Sequence, residues 1–159
     1  MFVNSGGKMP AEYLSREERD HLNQQLKEEF NITLPQARYF KTGKEKIRIF
    51  TGNLPPEMLN QLLRNTVVEI IGLYFAKEEK NDIVRLSLDA SHLLGNQATK
   101  NILQLTPEQT QKWLKGEDIE IAQEHHGIFV IRQGVDFLGC GKASQGKLIN
   151  FIPKERRIR

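Results

Sequence analysis

The stretch Gly141-Lys142-Ala143-Ser144-Gln145-Gly146-Lys147 fills the first seven positions of a phosphate-cradling P-loop. That chemistry needs Ser or Thr at the eighth position for magnesium, and a following helix whose N-terminal amides meet the phosphates. Here the eighth residue is Leu148, and Leu148-Ile149-Asn150-Phe151-Ile152-Pro153 is β-branched, aromatic and closed by proline. The segment reads instead as a hairpin turn between strands, and nucleotide binding drops out. His125-His126 is the next candidate, for metal binding. Adjacent residues on a strand point to opposite sides, and no carboxylate or histidine stands at a ligand spacing, so a solvated turn is the better account. Cys140 sits between glycines in an apolar setting, with no helix N-terminus or paired base to activate a thiolate. It reads as a small buried side chain. No glycine-rich fingerprint follows a strand, so neither a dinucleotide nor a methyl donor is expected. No catalytic residue, metal or cofactor is expected, and the chain is not read as an enzyme.

The cationic residues have more internal logic. Gly127 to Arg159 carries Arg132, Lys142, Lys147, Lys154, Arg156, Arg157 and Arg159 against Asp136 and Glu155, a net of +5. The remaining 126 residues carry sixteen Lys/Arg and eighteen Asp/Glu, a net of −2, so the whole-chain value of +3 hides a separation of charge. Cations gathered on one small β unit suit a polyanion. If four to six of them meet phosphates, affinity should fall roughly a hundredfold or more between 50 and 200 mM salt. Phe137 and Phe151 are candidates to stack a base, though a core role is the stronger expectation for both.

These residues need elements to hold them. Ser15-Arg16-Glu17-Glu18 is a capping box, and Leu22, Leu26 and Phe30 give a helix from about 16 to 29 one apolar face. Arg38–Lys41 and Ile47–Phe50 predict a β-hairpin. Leu54-Pro55-Pro56-Glu57 opens a short helix to about Arg64 that buries Leu59, Leu62 and Leu63. Val67 to Ala76 reads as one long buried strand and Ile83 to Leu88 as another, joined by the polar turn Glu78-Glu79-Lys80-Asn81-Asp82. Gly95 to Thr99 lacks periodicity and takes the boundary between two lobes. Beyond it come a short strand at Ile102–Leu105 and a helix opened by the box Thr106-Pro107-Glu108-Gln109 and closed at Gly116. An edge strand at Glu117–Ile121 follows. The terminal unit then consists of a strand at Ile128–Ile131, a glycine-punctuated turn from Gly134 to Gly141, and a strand at Lys147–Ile152. The fold class is α+β, with short, mostly antiparallel strands.

At this point the residues carry a family resemblance. Gly134-Val135-Asp136-Phe137-Leu138-Gly139-Cys140-Gly141-Lys142-Ala143 resembles the central turn and strand of PUA domains. Gly146 to Arg157, with Asn150 followed by Pro153, Lys154, Arg156 and Arg157, is similar to the PUA-like tail of Fmu/Sun/Nol-type ribosomal RNA methyltransferases. The layout also resembles small two-domain ribosome-biogenesis factors. The resemblance covers about residues 98 to 159, and nothing matches a methyl-donor core with paired cysteines. It implies an N-terminal α/β lobe over residues 10–95 and a PUA-like β pseudobarrel over 96–159. It also implies RNA contact at Lys142, Lys147, Asn150, Lys154, Arg156 and Arg157. The charge pattern adds Arg132 and Arg159 to that set, and Lys41, Lys44, Lys46 and Arg48 as an extension on the first hairpin.

The leading expectation is a non-catalytic RNA-binding protein of ribosome biogenesis or of rRNA and tRNA maturation. Its partners would be RNA and ribosome-assembly or RNA-modification proteins. The competing expectation is an adaptor that recruits a separate RNA-modifying enzyme through edge strands. No apolar run approaches the ~20 residues of a membrane span, and Met1 to Pro10 lacks the apolar stretch of a signal peptide. The single cysteine allows no internal disulfide. A cytoplasmic location is therefore expected.

Overall fold

The computed structural model describes residues 11–43, 45–66, 68 and 70–159. The lead-in at Met1 to Pro10, Lys44 of the hairpin track, and Val67 at the start of the long strand lie outside the described residues. In chain order the elements are β1 (Ala11–Tyr13), α1 (Arg16–Phe30), β2 (Arg38–Thr42), β3 (Lys46–Phe50), α2 (Pro56–Asn65), β4 (Leu73–Glu78), β5 (Val84–Leu86) and α3 (Leu88–Leu94). A 3-10 turn (Gly95–Gln97) leads to β6 (Ile102–Gln104), α4 (Pro107–Leu114), β7 (Ile119–Glu120), β8 (Gly127–Gln133), β9 (Asp136–Ser144) and β10 (Lys147–Asn150), and Lys154–Arg156 forms a last 3-10 turn.

The strands make two five-stranded sheets. The first runs β1-β2-β3-β4-β5 as an antiparallel meander. The second runs β6-β8-β9-β10-β7 and curls into a half-barrel, giving an α+β fold with a PUA-like pseudobarrel. Its one parallel pair is β6 with β8, and this is reached by a crossover through α4 and β7. Among the described residues no helix is long and apolar enough to cross a membrane.

Local chemistry accounts for the helix starts. Ser15 Oγ accepts the Glu18 amide at 3.1 Å while Glu18 Oε2 accepts the Ser15 amide at 2.8 Å. Thr106 and Gln109 repeat that exchange at 3.2 and 3.0 Å, with Pro107 at the first helical position. Each such cap contributes about 1 kcal/mol. The far end of α1 is closed by the segment that leads into β6. Asn101 Nδ2 donates to Glu29 O at 2.7 Å, and the Thr99 amide donates to Phe30 O at 3.1 Å, so two otherwise orphaned carbonyls are satisfied.

One apolar core serves both sheets. Leu22, Leu26 and Phe30 of α1 meet Phe75 and Ala76 of β4, Val84 and Leu86 of β5, and Ile128, Val130 and Cys140 from the second sheet. The opposite face of the second sheet covers Trp113 of α4 together with Ile131, Leu138, Ala143 and Leu148. A smaller cluster of Ala11, Phe40, Leu59 and Leu63 lies under α2.

Four expectations need correction. Leu62 is exposed, because α2 buries only the Leu59 and Leu63 stripe. The long strand starts at Leu73 and not near Val67. Gly72 takes a left-handed φ of 66°, where a Cβ would stand 2.5 Å from Ile49 O, and Arg48 occupies the carbonyls of Ile71 and Gly72 at 2.7 and 2.9 Å. The strand read to Leu88 stops at Leu86, because the Ser87 hydroxyl caps a new helix by accepting the Ala90 amide at 3.0 Å. The stretch read as a turn from Gly134 to Gly141 is a tight turn at Gly134-Val135 followed by the nine-residue β9.

Gly141 lies inside β9, where a Cβ would stand 2.7 Å from Leu148 Cδ1 and 2.8 Å from Trp113 Cη2. The glycine lets the indole lie flush under the sheet while its Nε1 donates to Leu138 O at 2.8 Å. Gly141→Val should overpack this contact and cost about 2 kcal/mol, read as a lower urea midpoint. An unchanged midpoint would mean that the site has slack.

Candidate nucleic-acid interface

Strand alternation sorts the charges of the last hairpin. Leu148 and Ala143 are directly opposed and point into the Trp113 core. Lys142 is paired with Ile149 on one side and Ile128 on the other, so it stands on the sheet face that looks toward the first sheet. Lys147, two residues before Ile149, shares that face. Both lysines are exposed, and among the described residues neither has an ion-pair partner. They are cations held at the surface and engaged by no carboxylate among the described residues.

The other expected contact residues are placed differently. Arg132 belongs to the same sheet face but to the far end of β8, where its Nε donates to Gln104 Oε1 at 2.9 Å. Four strand residues separate it from the level of Lys142, about 13 Å. Asn150 is committed internally. Its Nδ2 donates to Trp113 O at 2.7 Å and Glu117 O at 3.0 Å, and its Oδ1 accepts the Ile152 amide at 2.8 Å. It therefore ties β10 to the end of α4.

The basic tail crosses from α3 to α4. Arg156 makes a two-pronged pair with Asp89 of α3 at 3.0 and 2.9 Å. The hydrogen bond to Asp89 and its charge hold the guanidinium above its ordinary pKa. Arg157 donates to Ile152 O at 3.1 Å and lies across Gly116, whose left-handed φ of 88° closes α4. Lys154 and Arg159 are exposed and, among the described residues, without an ion pair. The cations thus fall into a hairpin group, Lys142 and Lys147, and a tail group in which Arg156 and Arg157 are already engaged.

The supposed extension on the first hairpin is mostly occupied. Lys41 reaches Glu18 at 3.4 Å and Glu78 at 3.3 Å. Burial works against its charge, yet Glu78 and Glu18 outweigh it and raise its pKa. Lys46 lies over the Tyr74 ring at 5.7 Å, and Arg48 holds the backbone before β4.

The residues missed by sequence sit in the turn between β4 and β5. Asn81 and Asp82 both take left-handed φ values, 62° and 56°, and this tight tip carries Lys80 beside the face that bears Lys142. Between them runs a groove of about 570 Å³ with Ile83, Ile149 and Phe151 along it. Arg85 covers the Phe151 ring at 4.0 Å from its centroid and bonds Glu79 at 2.5 Å, joining the lobes. Nothing in the local pattern of Glu78 to Asp82 distinguishes it from an ordinary polar turn; only the sheet register brings it to Lys142.

The remaining candidates for chemistry are quiet. Cys140 is buried, and desolvation pushes its thiol up to about 12. Gln145-Gly146 turns one strand into the next, as a hairpin does and a P-loop does not. His125 packs edge-on to Phe129. Among the described residues no three metal-binding side chains gather.

The half-barrel sheet with its parallel edge strand, capped helix and Asn-anchored tail resembles the PUA-like C-terminal domains of rRNA methyltransferases. Residues 100–158 match the family model described as the methyltransferase RsmF PUA domain. The chain is similar to the ribosomal RNA small subunit methyltransferase F of Vibrio parahaemolyticus, with 23% identity over 155 residues covering 94% of this chain and 31% of that protein. The protein of the same name from Vibrio vulnificus is 25% identical over 150 residues, covering 94% of this chain and 30% of its own length. The chain therefore spans less than a third of the length of these relatives, yet the similarity includes the first lobe as well as the PUA-like one.

Two measurements follow from these environments. Asn150→Ala should lower stability by about 2 kcal/mol, read as a lower urea midpoint, through the stranded carbonyls of Trp113 and Glu117. An unchanged midpoint would mean that those carbonyls are satisfied without the Asn150 amide. Cys140 should react with a thiol reagent at pH 8 only as fast as the protein unfolds. Because burial raises the folded thiol from 9.0 to about 12, stability is full below pH 9 and falls as pH climbs from there toward 12. A Cys140→Ser or Cys140→Ala variant that kept the same decline would assign it to another group.

Proposed function

We propose that this chain is the RNA-binding portion of an rRNA-modification system, with Lys142 and Lys147 as its principal phosphate contacts and Lys154 and Arg159 as a second set. The single observation that carries the proposal is the exposed, unpaired pair Lys142 and Lys147 on one face of a PUA-like sheet. The named relatives are rRNA methyltransferases, and their RNA class is the one we carry over. Methyl transfer itself is assigned to a catalytic core of the kind those relatives contain, and no catalytic role is assigned to residues 11–159. We also propose that residues 10–95 and 96–159 form two units that act together, in the cytoplasm where ribosomal RNA is matured.

A second function has its own support. Met58 and Leu62 stand one turn apart on α2 and are 56% and 40% exposed, with Ile70 at 72%. The exposed Met58 and Leu62 turn of α2 suits docking to another protein, and with it the adaptor role. Association with a methyltransferase that survives nuclease treatment, and is lost in Leu62→Lys, would favour that role.

The test of the first proposal is a titration with small-subunit rRNA fragments. Lys142→Glu with Lys147→Glu should weaken binding at least about tenfold at 50 mM salt and reduce the salt slope by about 2. Arg156→Ala should change the slope by much less, since Asp89 already neutralises that guanidinium. Equal slopes for the wild-type and double-lysine proteins would remove the hairpin from the interface.

A further inference from the structure

The groove between the lobes combines features that a backbone-tracking surface does not need. One wall is the β4–β5 turn with Lys80 and Ile83; the other is the β9–β10 hairpin with Lys142, Ile149 and Phe151. Its size of about 570 Å³ falls within the ~300–1,000 Å³ range of sites that enclose a small ligand group. Ile149 is 37% exposed there beside a fully buried Leu148, so apolar surface is held open to the groove. The acids of the groove are neutralised: Glu45 pairs with Lys77 at 3.3 Å, and Glu79 pairs with Lys77 at 3.7 Å and with Arg85. Lys80 and Lys142 have no ion-pair partner among the described residues.

An apolar floor flanked by two uncompensated cations fits a flat apolar ring attached to anions on both sides. We infer that this inter-lobe groove takes one unpaired nucleotide of a single-stranded RNA segment, its base on Ile83, Ile149 and the uncovered part of Phe151, its flanking phosphates at Lys80 and Lys142. A paired duplex cannot offer this, because its bases are stacked and its apolar faces hidden. The Arg85 guanidinium over Phe151 fixes that ring in place before any ligand arrives. The first lobe is then part of the binding site and not only a scaffold. This rests on the RNA-binding proposal above and names the substrate class of its neighbouring surface.

The experiment compares a single-stranded oligoribonucleotide carrying 2-aminopurine with a blunt RNA duplex of equal phosphate number, both titrated against the full chain. The single strand should bind more tightly, and its fluorophore should brighten as the base leaves its stacked neighbours for the apolar floor. Ile149→Ser removes floor without adding charge. It should lower single-strand affinity about tenfold, the scale of losing one stacked base, and leave the duplex unchanged. Lys80→Glu should act the same way, and methyl resonances of Ile83 and Ile149 should shift only with the single strand, which guards against a variant that merely misfolds. If both RNAs bind equally, weaken with Lys142→Glu plus Lys147→Glu, and ignore Ile149→Ser and Lys80→Glu, the groove inference is overturned while the RNA-binding proposal stands. If the wild-type chain binds neither RNA, both fall. Shifts of the Ile83 and Ile149 methyls with a poly-glutamate peptide, and none with the oligonucleotide, would overturn the nucleotide assignment.

Discussion

Everything in this molecule depends on the apolar seam that the two sheets share. Val130 and Cys140 from the second sheet are as fully enclosed as Phe75 and Val84 from the first, and they are enclosed by one another. Burial of this kind stabilises by roughly 25 cal/mol for each Å² removed from water. Polar groups along the same seam are matched: Ser91 Oγ accepts the Gly139 amide at 2.8 Å, and Thr99 and Asn101 close the end of α1. The seam fixes how the β4–β5 turn faces the β9–β10 hairpin. The positions of the cations follow from that.

Charge counting locates the basic residues on the right unit but not their freedom to act. Seven cations lie in the last thirty-three residues. The register brings Lys142 and Lys147 to one face, carries Arg132 to the far end of a strand, and spends Arg156 on Asp89. Those distinctions arise from partners distant in sequence. The Arg156–Asp89 pair spans 67 positions, and the Asn150 contacts with Trp113 and Glu117 span 37 and 33.

What was legible in the chain was local. Ser15/Glu18 and Thr106/Gln109 announce helices because a cap is completed within four residues. The first hairpin and the last one are visible because alternation and glycine coincide. Helix α3 was not, since Leu88 to Leu94 follows an alternating strand and the Ser87 hydroxyl that caps it is itself fixed by donating to Tyr74 O at 2.6 Å, a partner distant in sequence. The late start of β4 was equally hidden. Val68 and Ile71 look like strand residues, but they are drawn under α2 to Phe40 and Leu59. Of the candidate site, the lysines of the hairpin could be named from sequence. Lys80 could not, because its partner wall lies sixty residues away in the chain and reaches it only across the shared core.

Trp113 gives the fold a property of its own. It is the only tryptophan of the chain, wholly enclosed, with its ring against Gly141 and its nitrogen bonded to Leu138. The residue next to Gly141 is Lys142, whose side chain leaves from the opposite surface of the same strand. The molecule therefore has an intrinsic optical reporter one peptide unit behind the exposed Lys142. Emission from that indole should follow changes in the β9 backbone while remaining shielded from charged quenchers in the solvent.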